Sequence, residues 1–390
     1  MRLPSKSDSG SRGFGLIELM IAVALGLLIL VAISQLFIGS RLTYNTADAL
    51  ARVQENGRFA LEILKPELRD LGGEGFCAGR GNVTNHLDLD CDPDMEDVFN
   101  QDTPVTGWEY ANTGIGDSLT LPDNLDPGDT NVNDWSSRRN GTTRPLPSAL
   151  DGLVVPGSDV LVVQRVELIA EVQVNGVQSS NRIRLDGGGN LIPPRGIVMV
   201  MNCAEGGDIF QGGPGQGNDP DLFKPSQNCS DGQPGNNPPG GSPWNHQHDE
   251  TSSVFSESRV AYFVGYNAAR DEPGLYRADM SAGLDPDDIV VEELVQGIEN
   301  MQVLYGFSRP APQGDGQFVD FWLTADQVTD WGLVMAVRLS VLARSQAAAD
   351  VQREQFTFDL SRTQVTHPED RLLRQPFSTT VALRNRMITQ

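Results

Sequence analysis

A chain of 390 residues with 39% hydrophobic and 7% aromatic content can bury one good core or two lobes, which excludes a disordered protein. Its formal net charge of −23 excludes nucleic acid as a direct partner of the whole surface, because phosphates are repelled at long range.

The first element is an apolar run. From Phe14 to Ile38 the only charge is Glu18, and a helix of this length spans about 37 Å against a hydrocarbon core of about 30 Å. The preceding "MRLPSKSDSGSRG" carries Arg2, Lys6 and Arg12 against Asp8, which keeps that end in the cytoplasm and exports the remainder. A cleaved secretory signal is excluded by the length of the run and by the distance of the small-x-small site at Ala49–Ala51 from its end. A carboxylate inside a membrane helix costs roughly 2.5 to 3.5 kcal/mol, so Glu18 requires a partner.

Beyond Arg41 the apolar residues thin to one stripe, Leu50, Val53, Gly57, Ala60, Leu64, Leu68 and Leu71, at helical spacing. This predicts that the membrane helix (14–40) continues as an amphipathic helix (41–71) bearing a globular domain. Gly72 and Gly73 mark its end, and Pro66 should kink or shorten its last turn.

From 72 to 390 the texture is of short β runs between loops. "DVLVVQRVELIAEVQV" (159–174), "GIVMVMN" (196–202), "RVAYFVGY" (259–266) and "MQVLYGF" (301–307) read as strands. "LVMAVRLSVLARS" alternates apolar with small or polar residues, as an antiparallel sheet laid on a helix would. The expected fold class is α+β: a long N-terminal helix packed on an antiparallel sheet domain. Residues 77–150 and 205–243 read as loop-rich insertions, the first anchored by Trp108, Tyr110 and Trp135.

Four cysteines, Cys77, Cys91, Cys203 and Cys229, fall into two pairs near in sequence, without the C-x-x-C spacing of a zinc or redox site. They suggest two local disulfides and an oxidising compartment. Each would stabilise the fold by roughly 3 kcal/mol.

"GFGLIELM" closely resembles the class III signal of type IV prepilins and pseudopilins. The resemblance implies that a prepilin peptidase cuts between Gly13 and Phe14 and that Phe14 becomes N-methylated. It also implies that Glu18 pairs with the N-terminal ammonium of a neighbouring subunit, which supplies the missing cation in low dielectric. Gly15 departs from the commoner threonine. Farther on, "GLYRADM", "ELVQGIENMQVLYGF", "WGLVMAVRLSVLARS" and "LLRQPFSTTVALRNR" resemble the PilW family of minor pilins. That family implies an initiator of pilus assembly at or near the filament tip, held first in the inner membrane with its domain in the periplasm. Other minor pilins, the major pilin and the inner-membrane assembly platform are the implied partners. A type II secretion pseudopilin of the GspJ kind, or a tip adhesin working through its loops, is the alternative.

Two clusters invite a metal reading. "DLDCDPDMED" offers Asp88, Asp90, Asp92, Asp94, Glu96 and Asp97, but Pro93 and Phe99 stand where a calcium loop needs glycine and glutamate. "NHQHDE" places His246, His248, Asp249 and Glu250 together without a third remote ligand, and His86 and His367 stand alone. No metal or other cofactor is therefore expected. Nucleophile-elbow, phosphate-loop and zinc-protease motifs are absent, so no enzyme is expected. Arg371, Arg374, Arg384 and Arg386 form a basic run suited to ion pairs within the fold or to an acidic neighbouring pilin.

Overall fold

The computed structural model describes residues 15–69, 71, 83–90, 92–100, 103–179, 182–186, 192, 196–213, 222–225, 229, 233–237, 244–309, 318–349 and 351–383. Leu16–Arg69 is one uninterrupted 54-residue helix, α1. In its apolar half and just beyond it, the Ser34 and Thr43 hydroxyls donate back to the Leu30 and Gly39 carbonyls, at 2.8 and 3.0 Å. These polar groups are thus satisfied without help from outside the helix.

The two halves of α1 differ in surroundings rather than in backbone. Val53, Gly57, Ala60, Leu61, Leu64 and Leu68 are buried, whereas Leu50 is 41% exposed, so the packed stripe starts one member later than its periodicity suggests. Pro66 does not end the helix. It removes one backbone donor, but the turn beyond it is held by fully buried Leu68 and by Glu67, paired with Arg165 at 3.0 Å.

The buried stripe lies on an antiparallel sheet of four strands, in the order Phe321–Leu323, Ile298–Phe307, Val334–Arg344, Arg374–Ala382. Met301, Val303, Val337, Leu339, Val341 and Val381 join the helix residues in the main core. Closest approach is at Gly57, where an added Cβ would lie 2.2 Å from two ring carbons of Phe377. Val337, Leu339 and Val341 of the alternation read in "LVMAVRLSVLARS" lie on this sheet's helix-facing side, and Ala336, Ser340 and Leu342, which alternate with them, are buried as well, so the strand is covered on both faces.

The larger sheet does something that alternation could not disclose. Strand Ser253–Asn267 pairs along one edge with the 20-residue strand Val160–Ser179. Along the other it pairs with Glu272–Asp279 and Ile197–Asn202. From Ile197–Asn202 the pairing runs through Gly206–Gly213, Leu222–Pro225 and Arg182–Asp186 back to Val160–Ser179. Six strands therefore close into a ring, which removes open edges. Val172, Val174, Ile183, Leu185, Val198, Val200, Phe210 and Val254 form a separate core for it.

Residues 83–150, expected to be loop-rich, carry a core of their own. A short helix, α2 (Pro93–Phe99), and strand Val105–Tyr110 bring Met95, Val98, Phe99 and Trp108 against Trp135, Leu146 and Leu150. The indoles are satisfied internally, Trp108 donating to the Pro145 carbonyl at 2.7 Å and Trp135 to that of Ser158 at 2.8 Å. Short elements and frequent Pro, Gly and Asp hide this core from a periodicity reading. In the 205–243 stretch, Gly206–Gly213 is likewise a paired strand.

A polar seam joins the two sheets. The Gly157 carbonyl accepts from Asn300 and Gln302 side chains at 2.6 and 2.8 Å. Asp159 accepts the Tyr110 and Val303 backbone N–H groups at 3.1 and 2.8 Å. Burial pushes the Asp159 carboxyl up to about 7 against those bonds. Burial also raises Glu109, with nearby Asp159 adding to the effect.

Two predictions follow from this packing. Helix propensity alone would make Gly57→Ala stabilising by about 1 kcal/mol. The contact with Phe377 should reverse the sign and lower stability by roughly 1 to 3 kcal/mol, read as a lower thermal midpoint that Phe377→Ala partly restores. At the seam, carboxyls raised in the folded state stabilise it fully only below their ordinary range, and that contribution is lost as pH rises through their folded values. Glu109→Gln should therefore gain on the native protein increasingly as pH rises above the ordinary carboxyl range, from about pH 4 upward, in thermal unfolding across that range.

Candidate functional site

The site the sequence singles out lies at the start of α1. Gly13 and Phe14 are outside the described residues. Glu18 sits in the first turn and its Oε2 accepts the Gly15 backbone N–H at 3.2 Å, so in the isolated chain it caps its own helix. This is favourable, since helix N-termini carry unpaired donors and a positive dipole end. Beyond it, sixteen large apolar side chains from Leu16 to Ile38 are each more than half exposed. α1 is the one helix, among the described residues, long and apolar enough to cross a membrane, and none of its most apolar window is buried within the chain.

The other sequence-predicted groups separate into two kinds. The acidic stretch serves the fold. Asp92 caps α2 by accepting the Asp94 N–H at 2.9 Å, and Asp94 accepts both the backbone and the hydroxyl of Ser148. Glu96 and Asp97 pair with Arg139 and Arg144. Burial pushes Asp97 up to about 6, with both arginines opposing it. Arg374 is internal as well, its guanidinium spanning Glu299 and Asp370 at 2.6 to 2.9 Å. Arg371 is exposed, while Arg384 and Arg386 lie outside the described residues.

The histidines behave otherwise. His86 is not isolated: its Nε2 lies 2.7 Å from Asp208 Oδ1, and His248 Nε2 lies 2.7 Å from Oδ2 of the same carboxylate. His246 Nδ1 reaches Oδ2 at 3.3 Å. Burial alone would raise Asp208, but the hydrogen bonds from His248 and His86 outweigh it and hold the carboxyl well below its ordinary range. Asp249 and Glu250, grouped with these histidines by sequence, do not contact Asp208. Asp249 bonds Thr251 and Asn202 instead. No local pattern connects His86 to a partner 122 residues away. His367 is structural, accepting the Phe356 N–H at 3.0 Å. Neither Cys203 nor Cys229 is a free thiol, and Cys77 and Cys91 lie outside the described residues.

Comparison with known families bears on the helix and on the four-stranded sheet. Residues 8–34 match the family model of the prokaryotic N-terminal methylation motif. Residues 261–385 match that of type IV pilus-assembly protein W. These matches mark a type IV pilus-associated pilin. In this pilin the PilW match covers the strands on which α1 packs, so the resemblance read in "WGLVMAVRLSVLARS" lies where helix and domain meet. The matches indicate a structural pilus component anchored by its apolar helix. No curated protein and no solved structure matches the chain significantly.

Proposed function

We propose that this pilin is a minor pilin that primes pilus assembly and is incorporated at or near the filament tip. The observation that carries the reading is the uncovered half of α1. The chain commits Val53 to Leu68 of the helix to its own domain and leaves Leu16 to Ile38 exposed, without a partner among the described residues. A bilayer covers that surface first, and a bundle of like helices covers it afterwards.

In this reading the leader 1–13 stays in the cytoplasm and the domain is periplasmic. Prepilin peptidase cuts between Gly13 and Phe14, and Phe14 is N-methylated. Glu18 then exchanges its own helix N-terminus for the ammonium of a neighbouring pilin, a stronger charge-assisted bond in a low dielectric. Its partners are the other minor pilins, the major pilin and the inner-membrane assembly platform. The match to a pilus-assembly family favours this over a secretion pseudopilin. Cys77, Cys91, Cys203 and Cys229 form two disulfides in the exported domain, which the absence of a free thiol at Cys203 and Cys229 supports.

The test is the intact mass and N-terminal residue of the protein from envelope and sheared-filament fractions. The expected result is N-methylated Phe14 in both, with Glu18→Ala correctly processed in the envelope but depleted at least about tenfold from filaments, the equivalent of 1.4 kcal/mol. A start at Met1, or Glu18→Ala filaments carrying native amounts, would overturn the proposal.

A further inference from the structure

Three of the four histidines meet at one buried carboxylate, and pilus assembly through α1 uses none of them. Asp208 lies on strand Gly206–Gly213, two residues before Phe210 and so on the same face of the strand. It is fully buried. His86 follows strand Val83–Asn85, which pairs in parallel with Gly206–Gly213. The backbone fixes His86 on both sides, its N–H donating to the Ile209 carbonyl and its carbonyl accepting from Asn237, each at 2.8 Å. His246 and His248 come from a third segment, whose Trp244 stands edge-on to both Phe210 and His248 at 4.8 and 5.5 Å.

Hydrogen bonding alone accounts poorly for this convergence. Asp208 Oδ1 faces His86 Nε2 at 2.7 Å and the Asn245 N–H at 3.3 Å. Oδ2 faces His248 Nε2 at 2.7 Å, the His246 N–H at 3.2 Å and His246 Nδ1 at 3.3 Å. That is five nitrogens around a group with about four lone-pair sites, three of them on one oxygen. Among the described residues, histidines are the only side chains that ion-pair with Asp208.

Three imidazoles and a carboxylate, with no thiolate, form a donor set suited to borderline divalent ions. We propose that His86, His246, His248 and Asp208 bind one divalent transition ion of the zinc class. The ion ties the 244–248 segment and the strand carrying His86 to Gly206–Gly213. As they stand the groups bond one another, and no set of three or more His, Cys, Asp or Glu among the described residues has ligand spacing. With metal–nitrogen distances of about 2.0 to 2.1 Å, neighbouring ligand atoms of a tetrahedral shell lie roughly 3.3 Å apart. The His246 contact already has that separation, and the two at 2.7 Å must open by about 0.6 Å. The 244–248 segment belongs to no helix or strand and can provide the shift. The four residues lie outside both family matches, so the site stands independently of the assembly role.

The test uses the full processed chain in detergent, stripped with a chelator and titrated with Zn(II) in excess Mg(II), which occupies surface carboxylates. One equivalent should bind and raise the thermal midpoint, and Co(II) in its place should show the absorption bands of tetrahedral coordination. His246→Ala, at the rim with a side chain 9% exposed, and His86→Ala should each weaken binding by more than about tenfold, the scale on which even outer-shell partners act. Failure of the stripped native protein to bind Zn(II), or equal binding by both variants, would overturn the proposal. The network would then hold itself together by hydrogen bonds alone.

Discussion

An apolar half-helix that the described residues of its own chain leave uncovered is the constraint on which the rest of this molecule depends. Each of the sixteen large side chains from Leu16 to Ile38 is more than half exposed. At roughly 1 kcal/mol for completing the burial of each, the unmet stabilisation is on the order of the whole stability of a typical domain, about 5 to 15 kcal/mol. Water is therefore not an available resting environment for this segment, and lipid or neighbouring helices are. The globular domain must hold the other half of the same helix firmly enough that the apolar end is presented rather than folded back. The buried stripe, the close contact of Gly57 with Phe377 and the Glu67–Arg165 pair beyond Pro66 do that holding.

Glu18 gains its meaning from the same constraint. Among the described residues its carboxylate bonds its own helix terminus, a weak partner worth about 0.3 to 1 kcal/mol. In lipid that is less than the cost of placing a carboxylate there. In the proposed assembly the addition of a neighbour's ammonium changes the sign of the balance. The apolar run then provides non-directional attraction to the bundle, while Glu18 provides a preferred register within it.

What the sequence disclosed, and what it hid, follows from the range of the interactions concerned. The helix was legible because its pattern is local and long, and Val160–Ser179, Ile197–Asn202 and Val334–Arg344 were legible because short runs rich in β-branched and other apolar residues are a local signal. Ring closure was not, since it depends on which strands pair, and neither alternation nor turn residues encode that between Leu222–Pro225 and Arg182–Asp186. The core around Trp108 and Trp135 was read as loop because each contributing piece is too short to show a period. Pro66 misled for a related reason: one lost backbone bond is visible in sequence, whereas the burial of Leu68 that offsets it is not. At Asp208 the nearest signal, two histidines two residues apart, pointed toward the adjacent Asp249 and Glu250, while the fold recruits His86 from far upstream.

The two deeply buried aspartates show how differently one fold can treat the same side chain. Asp159 is approached by backbone N–H groups and stands near a second acid, Glu109, and burial pushes both carboxyls above their ordinary range. Its ligands cannot change protonation state, and the seam it holds is a fixed joint between the sheet that carries the helix and the strands beyond. Asp208 is approached by imidazoles, which can release a proton and offer a lone pair instead. Only the second arrangement can exchange hydrogen bonds for coordination without rebuilding the backbone. It lies next to the ring core, outside the residues that match the pilus-assembly family. Variation in what the ring presents can therefore proceed without disturbing the joint on which presentation of the apolar helix depends.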